Sequence, residues 1–335
     1  MQDNHFLFSK TPYRVSLFGG GSDYPAYYKE HGGACIGGAI NKYCYIGSRY
    51  LPPFFAHKHR IVYSQTEHPQ SIDEIKHPSV REVLKHLNIE EGLEIHHYGD
   101  LPARSGLGTS SSFTVGLLNC LTSLQSKKLS KQELYLTSIL IEQSKIKEAV
   151  GSQDQVMVTQ GGFNYIKFNQ CGKIECEKII EEKRIQRLSE NLMLFFTGVS
   201  RNSSENAEKI IKNIPSKVQT IKKMVSFAHD AKIIIENPSG NLDHIGEMLN
   251  EAWLLKKTLA DTITTDFIND YYERALKAGA IGGKILGAGG GGFLLFYVPE
   301  ESQNKVKMAL SELLYIDFKF EFEGASLVKN LGREL

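Results

Sequence analysis

The segment that most constrains how this chain folds is 101–113, Leu-Pro-Ala-Arg-Ser-Gly-Leu-Gly-Thr-Ser-Ser-Ser-Phe. Gly106 and Gly108 permit positive φ and allow the backbone to approach a ligand closely. Behind them, apolar residues from Phe113 to Leu124 recur at the spacing of a helix with a broad apolar face. Free N–H groups and the helix dipole favour negative charge at a helix N-terminus, so the segment predicts a phosphate loop. The alternative is an ordinary serine-capped helix after a glycine turn.

Two better-known phosphate loops do not fit this chain. A Walker A loop requires Lys and then Ser or Thr after its second glycine, and neither glycine cluster supplies them. The dinucleotide pattern G-x-G-x-x-G occurs once, at 287–292. The residues after it, Phe293–Val298, are apolar and aromatic and predict a strand, whereas the dinucleotide pattern must open a helix. The loop at 102–112 therefore belongs to neither type.

Length, charge and cysteine content set the general class of protein. With 335 residues the chain is long enough for two domains. A net charge of +1 argues against a nucleic-acid binder, which would carry a large basic excess. No apolar run approaches the roughly 20 residues of a membrane helix, and the first residues do not resemble a signal peptide. The five cysteines include no CxxC pair, so we expect reduced thiols in a cytoplasmic protein. From the charge and the lack of long apolar runs, we expect no membrane or nucleic-acid partner.

The order of predicted elements indicates an α+β protein of two domains. Strands are predicted at 14–18, 34–36, 43–46, 93–97, 163–168 and 192–196 and near 291–298 and 315–322. After the helix that follows the glycine loop, helices are predicted at 131–149 and near 203–235, 240–260 and 266–278. The charged run 177–187 is interpreted as a solvated crossing between domains. Since there is no strict βαβ rhythm, we expect an α+β fold, and we place its two domains at 1–185 and 186–335.

Three separated motifs resemble those of the kinases named after galactose, homoserine, mevalonate and phosphomevalonate, the GHMP superfamily. They are 11–24 (TPYRVSLFGGGSDY), 102–111 (PARSGLGTSS) and 284–292 (KILGAGGGG). Within the superfamily, the runs FGGGSDY at 18–24 and VGSQDQ at 150–155 are similar to those of heptose 7-phosphate kinases. The resemblance implies an N-terminal domain like domain 2 of ribosomal protein S5 and a ferredoxin-like C-terminal domain, with the active site between them.

The same resemblance implies an ATP- and Mg²⁺-dependent kinase acting on a small-molecule sugar phosphate. In the heptose kinases, O1 of D-glycero-D-manno-heptose 7-phosphate is phosphorylated to the 1,7-bisphosphate on the route to a nucleotide-activated heptose. Two alternatives stay open. One is an anomeric kinase for an unphosphorylated sugar such as fucose, arabinose or galactose, and the other is a non-catalytic sugar sensor on the same fold. The oligomeric state is also open, a homodimer included.

The resemblance places the phosphates of ATP in the 102–112 loop. The cofactor-binding residues that it implies are Pro102, Arg104, Ser105, Gly106, Leu107, Gly108, Thr109, Ser110 and Ser111. Mg²⁺ prefers a few hard oxygen ligands, and the matching positions for these are Ser110 and Glu142. Without the resemblance, Glu142 would be interpreted as the partner of Lys145 in an i,i+3 ion pair.

Asp154 matches the residue that accepts the proton of the substrate hydroxyl in galactokinase- and mevalonate kinase-like enzymes. Arg14 matches the cation beside that residue. A cation there would keep the carboxylate ionised and would stabilise charge on the transferring phosphoryl group. The alternative for Asp154 is an Asx-type cap after the break at Gly151.

Asp23 is the best candidate to hold sugar hydroxyls, because a carboxylate accepts paired O–H donors. Its alternative is a turn residue after three glycines. The substrate-binding residues predicted together with it are Gly20, Gly21, Ser22, Gly289 and Gly290. A phosphate on the substrate would require a cation, and the sequence does not choose among Arg104, Arg201, Arg49, Arg60 and Lys10.

Overall fold

The first half of the chain is built on a long antiparallel pair of strands, β1 and β2. The structure is a computed structural model that describes residues 6–199 and 203–328. The eight strands of this first sheet are β1 (Leu7–Phe18), β2 (Gly33–Tyr50), β3 (Arg60–Val62), β4 (Thr66–Glu67), β5 (Leu93–Gly99), β6 (Phe163–Phe168), β7 (Ile174–Ile179) and β12 (Ser326–Val328). The order is β12-β1-β2-β5-β3-β4, and only β3 and β5 run parallel.

Strand β2 is continuous where the sequence predicts two separate strands. Its first part pairs with β6, which in turn pairs with β7, and its second part pairs with β5. The glycine pair at 37–38 looks like a break in the sequence but serves close packing. A Cβ at Gly37 would lie 2.3 Å from the Val15 carbonyl oxygen, so glycine is needed for β1 and β2 to approach there.

Within residues 6–199 the structure describes six α-helices. They are α1 (Pro25–His31), α2 (Pro78–Leu87), α3 (Thr109–Leu124), α4 (Lys131–Leu140), α5 (Gln153–Gln160) and α6 (Glu182–Glu190). Helix α3 is the predicted helix after the glycine loop, and it packs on β1 and β2. Gly116 allows the close contact, since a Cβ there would lie 2.9 Å from Thr11 Oγ1, and the Gly116 carbonyl accepts a 2.8 Å hydrogen bond from Ser9 Oγ. Ser112 Oγ donates to the Pro12 carbonyl at 2.9 Å, so the N-terminus of α3 is fixed beside the middle of β1.

The second half of the chain has its own sheet. Its strands are β8 (Leu192–Phe196), β9 (Gly282–Ile285), β10 (Phe293–Tyr297) and β11 (Leu314–Ile316), and its helices are α7 (Ser203–Glu236), α8 (Asp243–Lys257), α9 (Asp266–Lys277) and α10 (Glu300–Ala309). The strands are antiparallel in the order β11-β8-β10-β9. In chain order this is 4-1-3-2 with intervening helices, the ferredoxin-like arrangement that was predicted. Trp253 and Phe296 are fully buried in the second core.

Four predictions for individual elements require correction. The helix predicted at 131–149 ends earlier, because α4 passes into a π-helical turn at Ile141–Lys145 and the chain is then non-helical. The strand predicted at 315–322 is only β11; beyond it the chain returns to the first sheet, where Phe320 bridges Ile40. The charged run at 177–187 belongs to the end of β7 and to α6. The separate strands at 34–36 and 43–46 are both parts of β2.

The return of the chain means that the last strand, β12, pairs with β1 at the edge of the first sheet. Helices α7 and α8 also pack on β1, so the two domains share an extensive contact. None of the helices within 6–199 and 203–328 is both long and apolar enough to cross a membrane. The predicted division at 185/186 falls inside α6 and remains a prediction.

Candidate active site

The two domains meet around a cavity of about 950 Å³. Its walls come from β1, the turn at 20–24, the glycine loop and the segment 146–154 in the first domain, and from α7, α8 and the segment 284–288 in the second. This volume is at the upper end of the range of small-molecule sites. The cavity is therefore large enough for two ligands of moderate size to meet.

The glycine loop reaches the cavity and ends in α3, as the sequence predicts. Gly106 and Gly108 have φ values of 84° and 73°, and Gly108 directly precedes the helix. No side chain caps the first turn of α3, so its N–H groups are available to an anion that the helix dipole also favours. The predicted residues that line the cavity are Arg104, Gly106, Gly108, Thr109, Ser110 and Ser111. Ser105 and Leu107 are buried behind the loop, and Pro102 is exposed outside the cavity.

Arg14 and Asp154 form a two-pronged ion pair beside this loop. Arg14 Nε donates to Asp154 Oδ1 at 2.7 Å and Nη2 donates to Oδ2 at 2.6 Å. The Arg14 side chain is only 5% exposed, whereas that of Asp154, at the first turn of α5, is 24% exposed toward the cavity. Nη1 of Arg14 also donates to the Gly106 carbonyl at 2.7 Å. One buried guanidinium thus fixes both the carboxylate and the glycine loop.

Asp23 lies on the cavity wall next to this pair, with Gly20 and Gly21. Its side chain accepts a 3.0 Å hydrogen bond from the Gly21 N–H and a 2.9 Å bond from Gln153 Nε2. Burial, and then the negative charge of Asp154, raise the pKa of Asp23 to about 6. Two carboxyl groups with different environments therefore lie together, and the arginine pairs with only one of them.

Three residues predicted to bind substrate are engaged elsewhere. The Ser22 hydroxyl is fully buried and donates to a carbonyl within the glycine turn at 2.7 Å. The Gly289 carbonyl accepts from Asn206 Nδ2 at 2.9 Å, and the Gly290 N–H donates to the Ile263 carbonyl at 2.8 Å. These contacts hold the turns in shape, and none of the three residues lines the cavity.

From the 287–292 segment, Gly287 and Ala288 are the residues that line the cavity. Gly287 packs directly against the phosphate loop: a Cβ on it would lie 2.6 Å from the Gly106 Cα. Conversely, a Cβ on Gly106 would lie 2.6 Å from the Leu286 carbonyl oxygen. The two glycine-rich segments, one from each domain, can approach this closely only because both residues lack side chains.

Two buried lysines complete the wall of the cavity, and sequence reasoning missed both. Lys284 Nζ donates to the Leu17 carbonyl at 2.8 Å, and Lys256 Nζ donates to the Gly287 carbonyl at 2.6 Å. Burial lowers the pKa of Lys284 to about 8 and lowers that of Lys256 well below its usual value. A signal existed for Lys256, which shares the buried face of α8 with Trp253 at i−3. Lys284 is the first residue of the third motif, but nothing in the motif itself indicates that its side chain is buried in the cavity wall.

Gly151 was interpreted only as a helix break, yet it is closely packed against the site. A Cβ on Gly151 would lie 1.8 Å from Asp23 Oδ2. Any side chain at this position would displace the carboxylate, so Gly151 sets the position of Asp23. Its backbone continues into Ser152, whose N–H donates to the Asp23 carbonyl at 2.9 Å.

Glu142, predicted near Mg²⁺, is fully buried behind the phosphate loop. Its Oε2 accepts from Ser111 Oγ at 2.9 Å and from Gln155 Nε2 at 2.5 Å, and its Oε1 has no hydrogen-bond partner. Burial raises the pKa of Glu142 to about 7. The i,i+3 ion pair with Lys145 is absent from the ion pairs of the described residues.

A second carboxylate, that of Glu148, lines the cavity together with Ser110 and Arg104. Burial raises its pKa, while the Arg104 charge and a hydrogen bond with the Ser110 hydroxyl act in the opposite direction. A hydroxyl and a carboxylate at the mouth of a phosphate loop are hard oxygen ligands suited to Mg²⁺. Within 6–199 and 203–328, no three His, Cys, Asp or Glu side chains form a metal site of their own. An ion there would therefore need ligand or water oxygens as well.

The candidates for a substrate phosphate are now separated by their partners. Arg49 and Arg60 both pair with Glu94, at 2.6 and 3.0 Å, and Lys10 lies over the Tyr43 ring at 3.9 Å. Burial raises the pKa of Glu94, but hydrogen bonds from His96 and the two arginines outweigh burial and lower it to about 2. Arg201 lies outside the described residues. The remaining candidate, Arg104, lines the cavity.

Comparison with known proteins agrees with this architecture. A model of the GHMP kinases N-terminal domain matches residues 75–162, and a model of the GHMP kinases C-terminal domain matches residues 231–316. Together the two models cover slightly more than half of the chain. The chain belongs to the GHMP kinase family, a family of phosphotransferases.

Individual relatives match over nearly their full length. The D-glycero-alpha-D-manno-heptose 7-phosphate kinase of Campylobacter jejuni is 27% identical over 94% of this chain and 97% of its own. A galactokinase of Pyrococcus furiosus is 26% identical over 90% of this chain and 91% of its own. The crystal structure of a D-glycero-D-manno-heptose 1-phosphate kinase from Bacteriodes thetaiotaomicron superposes with a TM-score of 0.79 at 25% identity, covering 97% of this chain and all of that one.

Proposed function

We propose that this chain is an ATP- and Mg²⁺-dependent kinase that phosphorylates O1 of D-glycero-D-manno-heptose 7-phosphate to the 1,7-bisphosphate. The observation that carries the proposal is the Arg14–Asp154 pair, which lies between the phosphate loop and Asp23. A carboxylate at this point can reach a substrate hydroxyl on one side and the transferred phosphoryl group on the other. The similarity to a heptose 7-phosphate kinase over almost the full length supports the choice of sugar.

The phosphate loop would hold the nucleotide. The N–H groups at the start of α3 and the backbone of Gly106 and Gly108 form a cradle for phosphate oxygens, with Arg104 at its edge. Ser110 and a carboxylate from the segment 142–148 would hold Mg²⁺, which neutralises the charge of the phosphates. Catalysis of phosphoryl transfer depends mostly on such positioning and electrostatic stabilisation.

Asp154 would accept the proton of the attacking hydroxyl. The bond between the γ-phosphorus and the bridging oxygen breaks and leaves ADP, the sugar oxygen bonds to the phosphorus, and the hydroxyl proton moves to the Asp154 carboxylate. Arg14 holds that carboxylate in a fixed orientation through its two hydrogen bonds. Its positive charge also stabilises the negative charge of the transferring group.

Asp23 would bind sugar hydroxyls. Each of its carboxylate oxygens accepts one hydrogen bond from the protein, which leaves a lone pair on each for a ligand. The neighbouring Gly20 and Gly21 carry no side chains, so the cavity surface beside Asp23 leaves room for a sugar ring. Substrate binding and proton acceptance are thus assigned to two adjacent carboxylates with different partners.

The proposal is tested by measuring ADP release with a panel of acceptors. The panel contains D-glycero-D-manno-heptose 7-phosphate, the unphosphorylated heptose, fucose, arabinose and galactose, each with ATP and Mg²⁺. We expect kcat/KM to be highest for the heptose 7-phosphate. A higher value for a free sugar would move the function to an unphosphorylated substrate, and binding of ATP and sugar without ADP release would indicate a sensor.

A further inference from the structure

Strand β1 is irregular just before the glycine turn at 19–21. Its register against β2 shifts between Ser16 and Phe18, which leaves Leu17 as an extra residue. Bulges of this kind interrupt the ladder of hydrogen bonds and are frequent next to active sites, where they re-aim the strand. The Ser16 and Leu17 carbonyls both accept hydrogen bonds from one ammonium group, Lys284 Nζ, at 3.1 and 2.8 Å.

The lysine that holds this bulge comes from the other domain. Lys284 lies on β9 of the second sheet and is only 7% exposed. Within 6–199 and 203–328 it forms no ion pair with a carboxylate. Burial of an ammonium group is costly, and an apolar side chain of similar length would fill the same space without that cost. What the lysine adds is therefore the link between β9 and β1.

This link continues through hydrogen bonds to Asp23. Ser16 Oγ donates to Gln153 Oε1 at 2.6 Å, and Gln153 Nε2 donates to Asp23 Oδ2 at 2.9 Å. Ser16, Gln153 and Asp23 are all buried, and Gln153 directly precedes Asp154 in α5. A buried network whose members are paired fixes the geometry of the groups at its end. The position of Lys284 therefore bears on the position of Asp23 beside Asp154.

A second lysine of the same domain supports the phosphate loop. Lys256 Nζ donates to the Ile285 carbonyl at 2.8 Å and to the Gly287 carbonyl at 2.6 Å. These bonds hold the bend at 285–287, where a Cβ on Gly287 would lie 2.6 Å from the Gly106 Cα. Lys256 thus acts on the segment that packs against the phosphate loop, whereas Lys284 acts on the strand that leads to Asp23.

We propose that Lys284 and Lys256 are positioning residues of the second domain, one for each substrate. Lys284 holds Asp23, and with it the acceptor sugar, in a fixed position relative to Asp154. Lys256 holds the phosphate loop, and with it the nucleotide. The inference rests on the proposed function, because that function assigns the sugar to Asp23 and the nucleotide to the phosphate loop.

The experiment compares Lys284→Met with Lys256→Met, since methionine keeps an unbranched apolar side chain but removes the ammonium group. ADP release gives kcat and KM for the sugar of the panel that the wild type uses best, which we expect to be the heptose 7-phosphate. Calorimetry gives the Kd of ATP with Mg²⁺, and urea unfolding gives the stability. Lys305→Met, an exposed position on α10, is the control. Ser16→Ala breaks the bond to Gln153 without changing either lysine.

The two lysine variants should be defective toward different substrates. Lys284→Met should lower kcat/KM for the sugar about 10- to 100-fold, as a displacement of about 1 Å does, and leave the Kd of ATP within about threefold. Lys256→Met should weaken ATP binding about tenfold and leave the KM for the sugar within about threefold at saturating ATP. A merely structural role would not divide the losses in this way. Equal losses toward both substrates in both variants would overturn the proposal.

Ser16→Ala tests the chain of hydrogen bonds by itself. It should lower kcat/KM for the sugar and leave the Kd of ATP unchanged, and combined with Lys284→Met it should add little, because both substitutions break the same chain. Additive losses would overturn the proposal. If Lys284→Met does not fold, a wild-type kcat/KM for the sugar in Ser16→Ala overturns it. A wild type that releases no ADP with any sugar of the panel would instead refute the proposed function.

Discussion

Replacing Asp154 by Asn separates the chemical role of the carboxylate from its role in the structure. The substitution keeps the size of the side chain but removes the negative charge and the capacity to accept a proton. Arg14 then keeps at most one hydrogen bond to this side chain and loses its counter-charge, although its bond to the Gly106 carbonyl remains. We therefore expect a large loss of turnover and a limited loss of stability.

The magnitudes follow from the two effects. Loss of a positioned general base lowers kcat by about 10²- to 10⁴-fold. Breaking a buried ion pair costs about 3–5 kcal/mol of folding stability. Here the Asp154 side chain is 24% exposed, and an amide oxygen can still accept one bond from Arg14, so we expect about 2 kcal/mol.

The assay combines ADP release, ATP binding by calorimetry and unfolding in urea. Asp230→Asn, an exposed position on α7, is the matched control and should equal the wild type in all three measurements. Asp154→Asn should bind ATP within about threefold of the wild type while kcat falls at least a hundredfold. A kcat within tenfold of the wild type would remove Asp154 from the role of base.

Two further substitutions test the walls of the site, and a third tests the ion-pair cluster around Glu94. Gly106→Ala should weaken ATP binding at least tenfold and destabilise the fold more than Gly172→Ala does. Both residues have φ near +85°, but only at Gly106 would the new Cβ meet a backbone atom, the Leu286 carbonyl oxygen. Equal effects of the two substitutions in calorimetry and urea unfolding would contradict this. The pKa of Asp23 is raised to about 6, so its stabilising contribution is present below pH about 4 and is lost as the pH rises through 6. Between pH 4 and 7 the wild type should therefore lose up to about 3 kcal/mol relative to Asp23→Asn, and a difference that is constant or grows with pH refutes the assignment. Glu94→Gln should destabilise the fold by about 3 kcal/mol at pH 7, since it leaves two arginines without a counter-charge, and an unchanged urea midpoint would show that the cluster is unimportant.

The sequence predicts the fold where local signals and tertiary packing agree. The glycine loop and α3 illustrate this, because the turn, the helix start and the apolar face all favour one structure. Strand β2 was divided in the prediction because Gly37 and Gly38 resemble a turn. Their actual role, permitting close approach to β1, depends on a partner strand that local sequence does not reveal.

Sequence motifs predict the site residues whose side-chain chemistry defines their role. They do not predict residues whose position depends on how the backbone turns in three dimensions. Arg14 and Asp154, 140 positions apart, are brought together as the motifs implied. The position of Glu142 relative to Asp154 matched the family pattern, but this spacing carries no information on the π-helical turn at Ile141–Lys145. That turn, and not the pattern of residues, decides that Glu148 faces the cavity.

The proposed reaction transfers the γ-phosphoryl group of ATP to the anomeric oxygen of a heptose 7-phosphate in this cavity. Phosphorus and proton NMR of the product formed from D-glycero-D-manno-heptose 7-phosphate, ATP and Mg²⁺ tests it directly. We expect a second phosphate ester whose phosphorus couples to the anomeric proton, with one ADP formed for each ester and formation of both slowed at least a hundredfold in Asp154→Asn. A phosphate at another carbon, or ADP formed without a new ester, would contradict it.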